Sequence, residues 1–188
     1  MNIELKKKRE ARNTVIRWVF YFVIMAFSYV FISTVQTGYS IPLLLIPAAV
    51  CAALREQPFG SAVYACVCGL LLDSAQGTLP GFNALLLMWM CVMVSLLLGY
   101  LMRRNILSFL ILDLAATAIQ SLLHYLFFYA IWGYDEGHGI FTGIFIPEFI
   151  FTNIAGVLMY LITTVISKTF GTVTEHYIEE KSDDIVRE

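Results

Sequence analysis

An all-α polytopic membrane protein, built as a six-transmembrane-helix bundle, is what this chain predicts, and three observations carry the prediction. The first is bulk composition: 59% of the 188 residues are hydrophobic, 14% are charged, and the mean hydropathy is +0.76. An ordinary soluble domain is about half apolar and about a quarter charged. A chain of this size cannot hide so much apolar surface in one aqueous core, so lipid is the solvent for much of it. The second is the placement of charge. Six of the twelve Lys and Arg residues fall in the first seventeen positions (Lys6, Lys7, Lys8, Arg9, Arg12, Arg17), and between residues 18 and 167 only Arg55, Arg103 and Arg104 are basic. The third is that apolar runs divide residues 18–167 into six segments separated by charged, polar or glycine-bearing turns. The domain plan that follows is a cytoplasmic basic tail (1–17), a six-span membrane domain (18–167) and a cytoplasmic charged tail (168–188).

The first apolar run, 18–35, is long enough to span at about 1.5 Å per residue. It is too long and too aromatic for a signal-peptide core, and no small-residue cleavage site follows, so it reads as an uncleaved span. The basic tail before it either sets topology alone, the preferred reading, or also touches anionic headgroups. Thr37-Gly38-Tyr39-Ser40 turns the chain. The second run, 41–54, is short, with Pro42 suited to a first helical turn and Pro47 expected to kink it. The third, from Pro58 or Gly60 to Leu72, is short as well. Runs of this kind are where membrane proteins build sites or tight packing. Residues 81–102 form a full span, Arg103-Arg104-Asn105 a tight turn, 106–132 the longest span, and 144–167 the sixth. The loop 133–143, with Asp135, Glu136 and His138, reads as solvated.

With the N-terminus in the cytoplasm and six alternating spans, every Lys and Arg lies on the cytoplasmic side, and the other side receives only carboxylates: Asp73, Asp135, Glu136 and Glu148. That is a clean positive-inside split. A re-entrant hairpin over 41–72 would leave the later topology unchanged. It would also bury Arg55 and Glu56 at depth, which is costly even when they are paired, and six spans are therefore preferred. The net charge of −2, with the basic groups confined to membrane edges, gives no reason to expect nucleic acid as a partner. The four cysteines (Cys51, Cys66, Cys68, Cys91) sit in apolar runs without Cys-x-x-Cys spacing and read as small buried hydrophobes.

The most specific stretch is 55–87. Taken as a helix, Ala62, Ala65, Cys66 and Gly69 share one face, and small residues so placed let another helix approach closely. Asp73 projects from that face at the non-cytoplasmic end, either as a structural cap or as part of an interaction surface. Gly77, Pro80 and Gly81 make the tight turn that follows. The pattern Gly60-x8-Gly69-Leu70-Leu71-Leu72-Asp73-x3-Gly77-x2-Pro80-Gly81-Phe82-x-Ala84-Leu85 resembles the bacterial rod shape-determining protein MreD family. The turn Arg55-Glu56-Gln57, mixed and nearly neutral, departs from that family's pattern. The resemblance implies a non-enzymatic inner-membrane scaffold subunit of the cell-elongation complex. Such a subunit binds MreC and, with MreB and the peptidoglycan synthases, organises lateral wall growth. Gly69, Asp73, Gly77, Pro80 and Gly81 would shape the partner-binding surface. The implied fold is similar to the S component of energy-coupling-factor transporters, and a vitamin-binding S component is the alternative function. That alternative needs a small-residue patch for the coupling subunit, for which Ala48-x-x-x-Ala52 and Ala49-x-x-x-Ala53 are the candidates.

In the fifth span Asp113, Thr117, Gln120, Ser121 and His124 line one helical face. Intramembrane ionisable groups are costly and face a bundle interior or a cavity. The stripe is either a small-molecule or proton pathway, or a ladder of interhelical hydrogen bonds worth about 0.6 kcal/mol each, with Thr152 and Asn153 as partners. No phosphate loop, metal-ligand spacing or activated nucleophile is present in the sequence, so neither enzymatic activity nor a cofactor is expected.

Overall fold

The computed structural model describes residues 2–34, 43–100, 105–130 and 146–170. Among them every regular element is helical. The helices are α1 (Asn2–Thr34), α2 (Leu45–Arg55), α3 (Pro58–Gln76), α4 (Phe82–Tyr100), α5 (Ile106–Tyr125) and α6 (Ile146–Phe170), with a π-turn, Leu126–Ala130, continuing α5. Five are long and apolar enough to cross a membrane: Ala11–Thr34 within α1, then α3, α4, α5 and α6.

The shortest helix lies at the centre. All eleven residues of α2 are buried, and the others surround it. Side-chain contacts give the direction of each neighbour. At one end Arg17 of α1 pairs with Glu56 just beyond α2, Arg55 reaches Thr164 of α6, and Ser95 of α4 donates to the Ala53 carbonyl at 2.9 Å. At the other end the Leu43 N–H donates to Thr152 Oγ1 of α6 at 2.9 Å, and the α3–α4 turn meets the far end of α5. Successive helices therefore run in opposite directions.

The α3–α4 hairpin is the tightest pair. An added Cβ on Gly69 would stand 2.5 Å from the Ala84 nitrogen and closer still to its Cα, so only glycine lets these backbones approach so nearly. Ser61 and Ser95 join hydroxyls across the same seam at 3.1 Å. The buried face of α3 is Ser61, Tyr64, Ala65, Cys68, Gly69, Leu72 and Asp73, whereas Ala62 and Cys66 of the expected face are half-buried at its border. On the other side Tyr64 donates to the Tyr21 carbonyl at 2.9 Å, with Trp18 packed edge-on against both rings. Outward faces of α1 and α6 carry large apolar side chains such as Phe27, Val30, Phe151 and Val165, the composition expected where lipid tails are the neighbours.

Several expectations change. Helix α1 begins at Asn2 and runs unbroken through Arg17, and Arg17 is buried rather than solvated in a tail. Arg55 and Glu56 are buried too, because each finds a partner from a distant helix. Pro47 does not kink α2. The helix starts at Leu45, so proline occupies its first turn, where its missing N–H has no partner to lose. The turn at 37–40, the pair Arg103-Arg104, the loop 133–143 and the tail beyond 170 lie outside the described residues.

Candidate functional site

The polar groups of the bundle collect where α3 hands over to α4. Helix α3 ends at Gly77 in the left-handed region (φ 65°), and the turn closes at Gly81 (φ 98°). Those two conformations suit glycine because no Cβ meets the following carbonyl. The turn brings Asp73 beneath the first residues of α4. Its Oδ2 accepts from the Gly81 N–H at 2.7 Å, and Oδ1 accepts from the Asn83 N–H at 3.1 Å and from Thr78 Oγ1 at 3.1 Å. Asp73 is thus a cap for a neighbouring helix, and its negative charge sits at that helix's positive end.

Asn83 extends the arrangement inward. Its Nδ2 donates to Gln76 Oε1 at 3.1 Å, and its Oδ1 accepts from Gln120 Nε2 of α5. Three helices are tied together at this level. Aromatic rings flank the link: Phe82 packs on Phe127 and Phe128 at 5.2 and 5.4 Å, and His124 lies 4.7 Å from Phe128. Of the five residues expected to shape a partner surface, Gly69 and Asp73 are buried inside the hairpin, Gly77 and Pro80 are exposed at its tip, and Gly81 is intermediate. Leu79 is the most exposed apolar side chain of the tip.

The stripe on α5 faces inward as expected: Asp113, Thr117, Gln120 and Ser121 are buried and His124 half-buried. The groups do not form one ladder. Thr117 Oγ1 turns back to the Asp113 carbonyl at 2.7 Å. Thr152 serves Leu43, and Asn153 donates to the Phe149 carbonyl of its own helix at 2.7 Å. Asp113 lies against α6 at Gly156, where an added Cβ would overlap Oδ2 and come within 3.1 Å of Pro47 Cβ.

A second polar group of residues ties the opposite end. Arg17 Nε and Nη2 face the two carboxylate oxygens of Glu56 at 3.1 and 3.3 Å. Arg55 donates to Ser167 and Thr164 and lies over the Tyr160 ring at 5.4 Å. The sequence reading missed Asn83, Gln76, Gly156 and these ion-pair partners. A polar side chain at the second position of an otherwise apolar helix was the available signal for Asn83.

No protein-family model matches the chain, and neither does any curated protein or solved structure. The functional reading therefore rests on the residues themselves.

Proposed function

We propose that this chain is a non-enzymatic scaffold of a bacterial inner membrane, an MreD-like subunit that binds MreC and helps organise lateral peptidoglycan synthesis with MreB and the wall synthases. In this reading α2 is a sixth, shortened crossing. Its length of about 16 Å falls short of a hydrocarbon core of about 30 Å, and its complete enclosure by the other helices compensates. Both termini lie in the cytoplasm by the positive-inside rule, which turns the α3–α4 tip outward.

The observation that carries the reading is the division of labour within the motif. Gly69, Asp73 and Gly81 rigidify the hairpin from within, and Gly77, Leu79 and Pro80 are left exposed at a fixed tip. A pre-ordered apolar tip loses little freedom on docking, which favours a protein partner. The vitamin-transporter alternative has lost one of its supports. Ala48, Ala49, Ala52 and Ala53 are buried inside the bundle and offer no face to a coupling subunit.

The test is co-purification of MreC with Leu79→Asp and Pro80→Glu variants, with insertion checked separately. Recovery falling at least several-fold, at unchanged insertion, supports the site. Undiminished recovery in both variants removes it.

A further inference from the structure

Asp113 is a buried carboxylate in the middle of α5. It is 1% exposed, and neither carboxylate oxygen has a hydrogen-bond partner among the described residues. Its Oδ2 lies against Gly156 of α6, with Pro47 of α2 and the Cys51 thiol close by. The side chain is accommodated by design of the sequence, since a Cβ at position 156 would occupy its place.

An isolated ionised carboxylate in such a setting is very costly, and a group so placed takes up a proton or a counter-ion. The titratable groups on the elements packed around it supply no counter-charge. Arg55, farther along α2, donates to Ser167 and Thr164. Cys51 of α2 and Cys91 of α4 are buried thiols. On α6 Glu148 lies toward one end and Tyr160 toward the other, and on α5 itself His124 packs with Phe128. A metal ion takes about four to eight ligands, but no cluster of three or more His, Cys, Asp or Glu exists among the described residues. The Thr117 hydroxyl is already given to a carbonyl. A proton is the one cation that needs no coordination shell.

We propose that Asp113 is a proton-binding site at the centre of the bundle, and that its occupancy governs how closely α6 seats against α5 and α2. With the proton bound, the carboxyl fits the glycine gap. Without it, the charge draws in water and loosens the Gly156 contact. Thr117, Gln120 and Ser121 lie on the same buried face, and Gln120 bonds to Asn83.

The experiment uses the full-length protein in lipid nanodiscs, with infrared spectra recorded across a pH series and amide hydrogen exchange measured in parallel. The protonated-carboxyl C=O band of the wild type should be lost in Asp113→Asn, remain in Glu148→Gln, and give way to a carboxylate band as pH rises. Amides of α6 around Gly156 should exchange several-fold faster once that band is lost, and Asp113→Asn should stay protected throughout. Asp113→Leu provides the same comparison if the Asn variant fails to insert. Spectra of wild type and variant that coincide at every pH overturn the site. A carboxylate band that responds to sodium or potassium also overturns it, in favour of a metal cation. Exchange that does not follow the band overturns the link to packing.

Discussion

Arg17 and Glu56, 39 residues apart, meet as a two-pronged ion pair whose side chains are each only 4% exposed. The pair fastens the middle of α1 to the α2–α3 junction. Breaking a buried pair from one side strands a charge and costs about 3–5 kcal/mol, whereas replacing both partners with apolar residues of similar volume is often neutral. Glu56→Gln or Arg17→Met alone should therefore lower the unfolding midpoint of the detergent-purified protein sharply. The double variant Arg17→Met/Glu56→Leu should recover most of the loss. A double variant as weak as the sum of the singles would show that the pair is not the relevant interaction.

Asp73 satisfies three donors at once, two of them backbone N–H groups at the start of α4. Asp73→Ala leaves those donors without their acceptor, at about 1–3 kcal/mol for each one left buried. Asp73→Asn keeps an acceptor oxygen but loses the charge and should fall between wild type and Ala. Thermal unfolding, together with limited proteolysis at the exposed tip, checks the order; Ala and wild type with equal midpoints would contradict it.

Two glycines on the same hairpin should respond in opposite ways to one added methyl group. Gly69→Ala drives a Cβ into the backbone of Ala84 and forces α3 from α4, with a cost of about 1–3 kcal/mol or more for overpacking. Gly99→Ala meets nothing within 4 Å and should be neutral or mildly stabilising, since alanine is the better helix former. Paired melting curves of the two variants decide this.

Arg55 uses the planar fork of its guanidinium, giving one arm to Ser167, another to Thr164, and its face to Tyr160. Lysine cannot reproduce that geometry. Arg55→Lys should cost most of what Arg55→Met costs, and Tyr160→Leu should weaken the arginine protein more than it weakens Arg55→Met. Equal stability of Arg55→Lys and wild type would mean that charge alone suffices.

Hydropathy made the long helices readable, because spans of about twenty apolar residues need no knowledge of their neighbours. The inward face of α5 was readable for the same reason: polar groups at helical spacing in a greasy segment face protein rather than lipid. The centre of the bundle was not. The second apolar run reads as an inadequate span, and nothing local says that the other helices will enclose it. Arg55 and Glu56 look like an exposed turn until partners arrive from 39 and 112 residues away. The small-residue face of α3 was half legible: Ala65 and Gly69 do meet the interior, but the register is rotated so that Tyr64 and Cys68 join them in place of Ala62 and Cys66. Asp73 could be read as a cap or as a surface, and only the placement of Gly81 and Asn83 distinguishes the two.

Because α2 is walled in on every side, the order of synthesis has a meaning for biogenesis. The polar groups that receive Arg55 belong to α6, which is synthesised well after α2, so the second segment waits for α6 before its guanidinium is satisfied. A nascent chain cut short before α6 carries an unsheltered arginine at the end of a helix too brief to stand alone in lipid. Such a fragment leaves that guanidinium without Thr164 and Ser167, so this polar tie closes only when α6 is in place.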